Sequence, residues 1–219
     1  MSSLTLVIGN KNYSSWSLRP WLAMKQAGIA FDEIRIPLYE SRSKSALLEH
    51  SPAGKVPVLH DGDVTVWDSL AICEYLAERF PHNNLWPQDA GARAQARSVS
   101  AEMHSGFPNL RSRMPMNLRS SHPGRGRDSE VDTDIARVVA LWSDCRERHA
   151  AHGPFLFGTF SIADAMYAPV ATRFITYEVE LPPVCAQYVE RLRALPALQE
   201  WYAAARTETE FITRAEPYV

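Results

Sequence analysis

Two short stretches of this chain carry groups that could grip a small charged ligand. Both lie within Gly54–Glu74, GKVPVLHDGDVTVWDSLAICE. In the first, Pro57 interrupts the apolar run Val56-Pro57-Val58-Leu59. Proline has no backbone N–H to give a central strand, so it belongs at an edge or entrance. A cis Val56–Pro57 bond there would turn the N–H and C=O of Val56 outward, toward an extended peptide. In the second, Asp68-Ser69 precedes the helical spacing of Leu70, Ala71, Ile72, Tyr75 and Leu76. That junction puts Ser69 at a helix start, where free N–H groups and the positive end of the dipole favour an anion. Asp68 can hold an ammonium. A strand that pairs with a peptide backbone, beside a clamp for a zwitterion, describes a pocket for a small peptide with a free α-amino-acid end.

The elements that must position these groups can be read from patterning. Leu4–Ile8 reads as a buried strand, Gly9–Ser15 as a polar loop, and Trp16 onward as a helix that Gly28 ends. Pro20 is tolerable there in or near the first turn. Phe31–Leu38 alternates around Ile34 and Ile36 as a second strand. Glu40–Glu49 reads as a short polar helix with Ala46-Leu47-Leu48 inward. Asp61-Gly62-Asp63 turns the hairpin into Val64-Thr65-Val66, and the next helix ends near Phe80. The order is βαβαββα, a thioredoxin-like arrangement over residues 1–80.

A linker spans 81–87, PHNNLWP, with Leu85-Trp86 expected to plug into the second domain. Residues 88–219 carry no strand patterning and read as all-helical. Ala90–Met103, Val131–Ala151, Tyr188–Leu195 and Ala197–Thr207 are expected helices, and Ser120–Asp132 a mobile loop. Ser161-Ile162-Ala163-Asp164 is a capping box ahead of AMYAPVATRF, too apolar for anything but a central helix.

Composition narrows the function classes. A 46% hydrophobic and 22% charged chain of 219 residues is that of a soluble globular protein with a substantial core. The net charge of −2 leaves no electrostatic footprint for nucleic acid or an anionic membrane. No apolar run approaches the roughly 20 residues of a membrane helix, and MSSLTLVIGN lacks the basic region of a secretory signal. Cys73, Cys145 and Cys185 are far apart, with neither CxxC nor zinc spacing. The expectation is a cytoplasmic protein without a metal.

VPVL, the turn and DSLAICEYL resemble the glutathione-binding part of the cytosolic glutathione transferases, with Asp68 where the usual pattern has Glu or Gln. SIADAMYAPV is similar to the Ser/Thr-x-x-Asp box of that family's helical domain. A third motif, Ser14-Ser15-Trp16-Ser17-Leu18-Arg19, resembles the SSCS start of the zeta class, with Trp16 replacing its cysteine. The resemblance spans nearly the whole chain. It implies a glutathione-transferase fold: a thioredoxin-like α/β domain followed by an all-α domain.

The resemblance also implies roles. Glutathione would be the co-substrate, held by Lys55, Val56, Pro57, Asp68 and Ser69. Ser14 would be the hydroxyl that activates its thiol, with Ser15 the rival one residue on and Tyr13 a weaker one. The demand is modest. A thiol of pKa about 8.5 is only about 3% thiolate at pH 7, and lowering it by about 2 units needs roughly 2.7 kcal/mol. One hydroxyl donor and a helix N-terminus can provide that. Lys55, Arg42 or Lys44 could hold the glycyl carboxylate. Met103, Phe107, Leu110, Met114 and Met116 could line a pocket for an electrophile, or simply pack in the core. Arg173 and Tyr177, near the end of the apolar helix, could receive a carboxylate-bearing co-substrate. His104 reads as a domain-interface histidine. The activity implied is thiolate attack on a small electrophile by a homodimer. The alternatives are a zeta-like glutathione-dependent cis–trans isomerase and a binding protein that kept the fold without turnover.

Overall fold

The computed structural model describes residues 4–219. Four strands form one sheet in the order β2-β1-β3-β4: β1 (Leu4–Ile8), β2 (Phe31–Arg35), β3 (Val58–Asp61) and β4 (Val64–Trp67). β1 runs parallel to β2 and antiparallel to β3, and β3 and β4 close the hairpin with Val58 opposite Trp67. Helices α1 (Ser15–Gln26), α2 (Ser43–His50) and α3 (Ser69–Arg79) complete the expected βαβαββα order. β1 is central and nearly all buried, as its apolar residues Leu4, Leu6, Val7 and Ile8 require, with Thr5 partly exposed.

Some sequence expectations shift. β2 stops at Arg35, not Leu38, and as an edge strand it leaves Ile34 38% exposed. α2 begins at Ser43 and turns Leu47 and, in part, Ala46 inward as expected, but leaves Leu48 exposed. Pro20 is the sixth residue of α1, beyond the first turn. It therefore removes the hydrogen bond to the Trp16 carbonyl without ending the helix.

From Ala90 the chain is mainly helical: α4 (Ala90–Ser105), α5 (Pro108–Arg113), α6 (Ser129–His149), α7 (Ile162–Thr176), α8 (Pro183–Arg193) and α9 (Pro196–Thr207). α8 starts five residues before the expected Tyr188, because Pro183 serves as a first-turn proline. α7 is buried almost throughout and packs on α1, α4 and α8. The Ser161 N–H and Oγ–H both donate to Asp164 Oδ2, at 2.8 and 3.2 Å. Asp164 Oδ1 accepts from Leu156 N and from the Tyr188 hydroxyl, each at 3.0 Å.

One hydrophobic core runs through both halves. Trp21 of α1 meets Trp201 of α9 with ring centroids 5.0 Å apart. Leu85 and Trp86 are buried in that core, and the Leu85 carbonyl accepts from Ile162 N at the start of α7. The irregular segment ahead of α6 is pinned by His122 N to the Thr176 carbonyl and by Gly124 N to the Tyr177 carbonyl. All three cysteines are buried and free, and burial pushes the Cys73 thiol up to about 12, which leaves it inert at neutral pH.

Candidate functional site

The N-terminal ends of α1 and α3 and the entrance to β3 frame the site. Ser14 caps α1, its Oγ accepting from Ser17 N at 3.3 Å and lying 2.8 Å from Ser17 Oγ. Ser17 Oγ in turn accepts from Gly9 N at 3.1 Å. When the Ser17 hydroxyl donates to Ser14 Oγ, both acceptor positions of Ser14 are used and its own proton is left to donate elsewhere. Ser15, the first residue of α1, is buried at 7% exposure, and its hydroxyl bonds to no other group among the described residues. Tyr13 is committed elsewhere: its hydroxyl donates to Glu216 Oε1 at 2.6 Å and accepts from Arg119 Nη2 at 2.8 Å.

The Val56–Pro57 bond is cis. Among the described residues neither the N–H nor the C=O of Val56 has a hydrogen-bond partner within the chain. Pro57 is buried and Val56 half-buried. Lys55, Arg42 and Lys44 are exposed, with Lys44 Nζ 3.5 Å from the Gly54 carbonyl.

The helix start differs in detail from its sequence reading. Asp68 is itself the cap of α3, and Ser69 is the first helical residue. Asp68 has φ 77°, a conformation that costs a non-glycine residue about 1–3 kcal/mol and that clusters at ligand sites. Its Oδ1 accepts from Leu70 N at 2.9 Å and Ala71 N at 3.3 Å. Ser69 Oγ is buried and has no hydrogen-bond partner among the described residues.

Sequence reasoning missed how closely α4 and α5 approach this junction. His104 Nε2 lies 3.2 Å from Asp68 Oδ2, and its ring meets Trp16 edge-on at 5.3 Å. Burial lowers the His104 pKa, and the Arg19 and Arg111 charges add to that against the opposing pull of Asp68. Arg19 is fully buried, with its guanidinium carbon 4.2 Å from the Trp16 ring centroid and its Nε and Nη1 unpartnered. Nothing in the spacing of the first helix showed that Arg19 would be buried without an ion-pair partner.

The electrophile-pocket candidates divide. Met103 and Phe107 are buried within the main core, as are Leu110, Met114 and Met116. Arg173 donates from Nε to the Met114 carbonyl at 2.8 Å and from Nη1 to the Pro169 carbonyl at 3.0 Å. The Tyr177 hydroxyl donates to the Pro115 carbonyl at 3.1 Å. Both side chains thus hold the backbone between α5 and α6. Two clefts, of about 290 and 330 Å³, open elsewhere, one beside Arg193 and Arg206 and one beside Lys11 and Arg35.

A family model described as glutathione S-transferase, N-terminal domain matches residues 13–79, and one described as glutathione S-transferase, C-terminal domain matches 129–204. The chain is 26% identical to a stringent starvation protein A homolog of Coxiella burnetii over 95% of its own length and 94% of that protein's. A glutathione transferase homolog from Burkholderia, crystallised with bound glutathione, superposes with TM-score 0.70 at 24% identity, covering 93% of this chain and 98% of that one. A bacterial zeta-class maleyl pyruvate isomerase superposes with TM-score 0.72 at 21% identity, covering 94% and 100%. The fold is that of a thioredoxin-like sheet domain joined to an all-helical one, and with both halves matched by its domain models the chain belongs to the glutathione S-transferase family.

Proposed function

We propose that this protein binds glutathione and activates its thiol for attack on an electrophilic small molecule. The observation that carries the reading is the unpartnered Ser69 Oγ at the start of α3, beside a cis Val56–Pro57 edge whose backbone groups are also unpaired. Buried polar groups in a folded protein are almost always paired, so an orphaned set at one junction fits a ligand that completes it. Ser69 and the α3 N-terminus would hold the γ-glutamyl carboxylate, Asp68 Oδ2 the α-ammonium, and Val56 the peptide backbone. Lys55, Lys44 or Arg42 would hold the glycyl carboxylate.

Ser14 is the assigned thiol donor. Two donors reach its oxygen when Ser17 Oγ–H points to it, and a hydroxyl polarised in this way is a stronger donor itself. Ser15, unpaired one residue on, is the competing donor. Neither serine acts as a nucleophile: the attacking atom is the glutathione sulfur. The protein acts as a two-fold homodimer in the cytoplasm, and a monomer by light scattering at micromolar concentration would count against the assembly.

Calorimetry with glutathione and turnover of 1-chloro-2,4-dinitrobenzene test the reading together. Saturable binding with turnover is expected, and absence of binding would sink it. A second reading, a glutathione-binding protein without turnover, is favoured by the Coxiella relative, which is named as a starvation protein and not as a transferase. Binding without turnover of any electrophile would select it. A zeta-like isomerase is the enzyme alternative, motivated by the Ser14-Ser15 motif. It would isomerise a cis-alkene acid without consuming glutathione.

A further inference from the structure

The chain after α9 is mostly exposed, yet it buries one acid. Of residues 208–219 only Ile212 and Glu216 are buried, Glu216 at 8% exposure. A buried carboxylate is costly unless its oxygens are bonded. Both oxygens of Glu216 accept from neutral donors: Oε1 from the Tyr13 hydroxyl and Oε2 from Asn117 Nδ2, each at 2.6 Å. Tyr13 belongs to the loop ahead of α1, and Asn117 to the segment between α5 and α6. A glutamine could accept from only one of them, since its amide has a single oxygen. Residue type and geometry together specify a two-acceptor clamp. Arg119 closes it from the other side, its Nη2 donating to the Tyr13 hydroxyl at 2.8 Å and to the Glu210 carbonyl at 2.7 Å. Glu208 grips the same loop through Lys11 N and Asn12 N. The C-terminal segment therefore holds residues 11, 12 and 13 in succession. The next residue is Ser14.

We propose that Glu216 is a positioning residue for thiol activation: by clamping Tyr13 to Asn117 it fixes the turn from which Ser14 presents its hydroxyl to the glutathione sulfur. The inference rests on the reading of Ser14 as the thiol donor. Tyr13 N and Ser14 N both donate to the Asn10 carbonyl, at 3.2 and 2.8 Å, so Tyr13 and Ser14 belong to one closed turn. A side chain pinned at its far end restrains the backbone that carries it, and here that backbone is one peptide bond from Ser14. Bonds to a charged oxygen are short and strong, which suits a clamp that must hold at both ends. A hydrogen bond weakens steeply as its angle departs from linear, and small misplacements of a reacting group are expensive. Loosening the turn should therefore weaken the donation to sulfur while leaving the groups at the start of α3 in place. Glu216 itself touches no substrate in this arrangement.

The test follows the thiolate absorbance of bound glutathione against pH, at saturating glutathione, in the full-length protein and its variants. Glu216→Ala should raise the midpoint by about half to one pH unit, roughly a 3–10-fold loss of thiolate below it. Glutathione affinity by calorimetry at about pH 5.5, where the bound thiol is mostly protonated in both proteins, should stay within about twofold. A merely structural role would lower the melting temperature and leave the midpoint where it is. Glu216→Gln, which keeps one acceptor, should fall between wild type and Glu216→Ala. In a Ser14→Ala background, adding Glu216→Ala should move the midpoint no further, because the donor it positions is gone. Tyr218→Phe is the control: the Tyr218 hydroxyl donates to the Arg113 carbonyl at 2.6 Å and ties the same segment down away from the loop. Its midpoint should match wild type. If Glu216→Ala does not fold, Tyr13→Phe, which keeps the ring and removes the clamped hydroxyl, should shift the midpoint in the same direction. An unmoved midpoint in Glu216→Ala (or, where that variant does not fold, in Tyr13→Phe), shifts that add to that of Ser14→Ala, or an equal shift in Tyr218→Phe overturns the proposal and leaves the transferase reading standing. If wild-type protein does not lower the midpoint of bound glutathione below that of the free thiol, the transferase reading itself falls and the positioning role with it.

Discussion

The loop ahead of α1 and the junction where α1, α3, α4 and α5 meet lie at the two ends of the Ser14–Arg19 motif, and they are built in opposite ways. In the loop almost every polar group is paired. Asn12 Oδ1 accepts from Leu118 N and Arg119 N, at 2.7 and 3.0 Å, and its Nδ2 donates to Asn117 Oδ1 at 3.0 Å. Glu208 accepts from Lys11 N and Asn12 N, at 2.6 and 2.9 Å. Glu216 accepts from Tyr13 and from Asn117 Nδ2, both at 2.6 Å, and Arg119 donates to the carbonyls of Glu208 and Glu210. Asn10 Nδ2 is the exception. At the junction the balance is reversed. Of eight buried side-chain nitrogen and oxygen atoms left unpaired among the described residues, four belong to Arg19, Ser69 and His104. The loop is completed by the chain's own C-terminal segment. The junction is left incomplete, which is what a binding surface requires before its ligand arrives.

That contrast predicts opposite signatures for substitution. Asn12→Ala should have the largest effect on the folded chain. It strands the part-buried Leu118 N–H, at about 1–3 kcal/mol, while Arg119 N and the Asn117 amide keep their other partners. A loss of about 1–3 kcal/mol corresponds to a fall of roughly 2–12 °C in melting temperature for a chain of this size. Calorimetric melting of the ligand-free protein reads it. A shift under about 2 °C, less than one such group is worth, would mean that the loop is not a scaffold.

Ser14→Ala removes the cap of α1, at about 0.5–2 kcal/mol of stability, and acts on the chemistry as well. Losing a hydrogen bond to a charged sulfur removes about 1.5–3 kcal/mol, or roughly 10–100-fold in thiolate stabilisation. The predicted signature is a lower kcat at neutral pH, recovered as pH rises, with glutathione affinity preserved by the α3 clamp. Titrating the thiolate absorbance of bound glutathione distinguishes the two serines. If Ser15→Ala moves the titration and Ser14→Ala does not, Ser15 is the donor.

Ser69→Ala sharpens the comparison because it should separate stability from binding. Removing a buried, unpaired hydroxyl should leave the ligand-free protein as stable or slightly more so. Glutathione affinity should weaken by about 1.5–3 kcal/mol, and because the contact is made in ground and transition states alike, the loss appears in KM. A mutant that melts lower yet keeps its KM would reassign Ser69 to the scaffold.

The range of the forces involved decides which features are legible in the sequence. Strand and helix order came from local periodicity, the cis Pro57 from a proline in an apolar run, and the buried α7 from its composition and the Ser161–Asp164 box. Motif spacing placed Ser14, Ser15 and Ser69 at helix starts, since capping is local. Arg19, Arg111 and His104 were not assembled by sequence reasoning. They sit on three helices, α1, α5 and α4, and meet only through long-range packing around Trp16. The same limit explains Arg173 and Tyr177, whose residue types suggested a ligand while their bonds go to backbone carbonyls 59 and 62 residues away.

The smallest effect expected is also the one that most directly probes the junction. His104 Nε2 faces Asp68 Oδ2 at 3.2 Å, and Asp68 is the carboxylate assigned to the ammonium of glutathione. The charged groups facing the imidazole are Asp68, Arg19 and Arg111, with the Trp16 edge completing its surroundings. Burial first, and the two arginines after it, lower the His104 pKa below its ordinary value, so the ring is neutral at pH 7. Its Nε2–H can then donate to Asp68 and leave the carboxylate its full charge. As pH falls through that lowered range the ring gains a proton and becomes a cation competing with the ammonium for one oxygen. Glutathione affinity should therefore be flat from pH 8 to 7 and weaken on the acid side. The partly exposed pair limits the effect to about 1 kcal/mol or less. His104→Gln keeps a donor for Asp68 and cannot protonate, so its affinity should stay level down to the titration of the carboxylates. Calorimetric titrations of both proteins between pH 5 and 8 would decide the matter, and an acid-side loss that persists in the glutamine variant would clear His104 of any part in it.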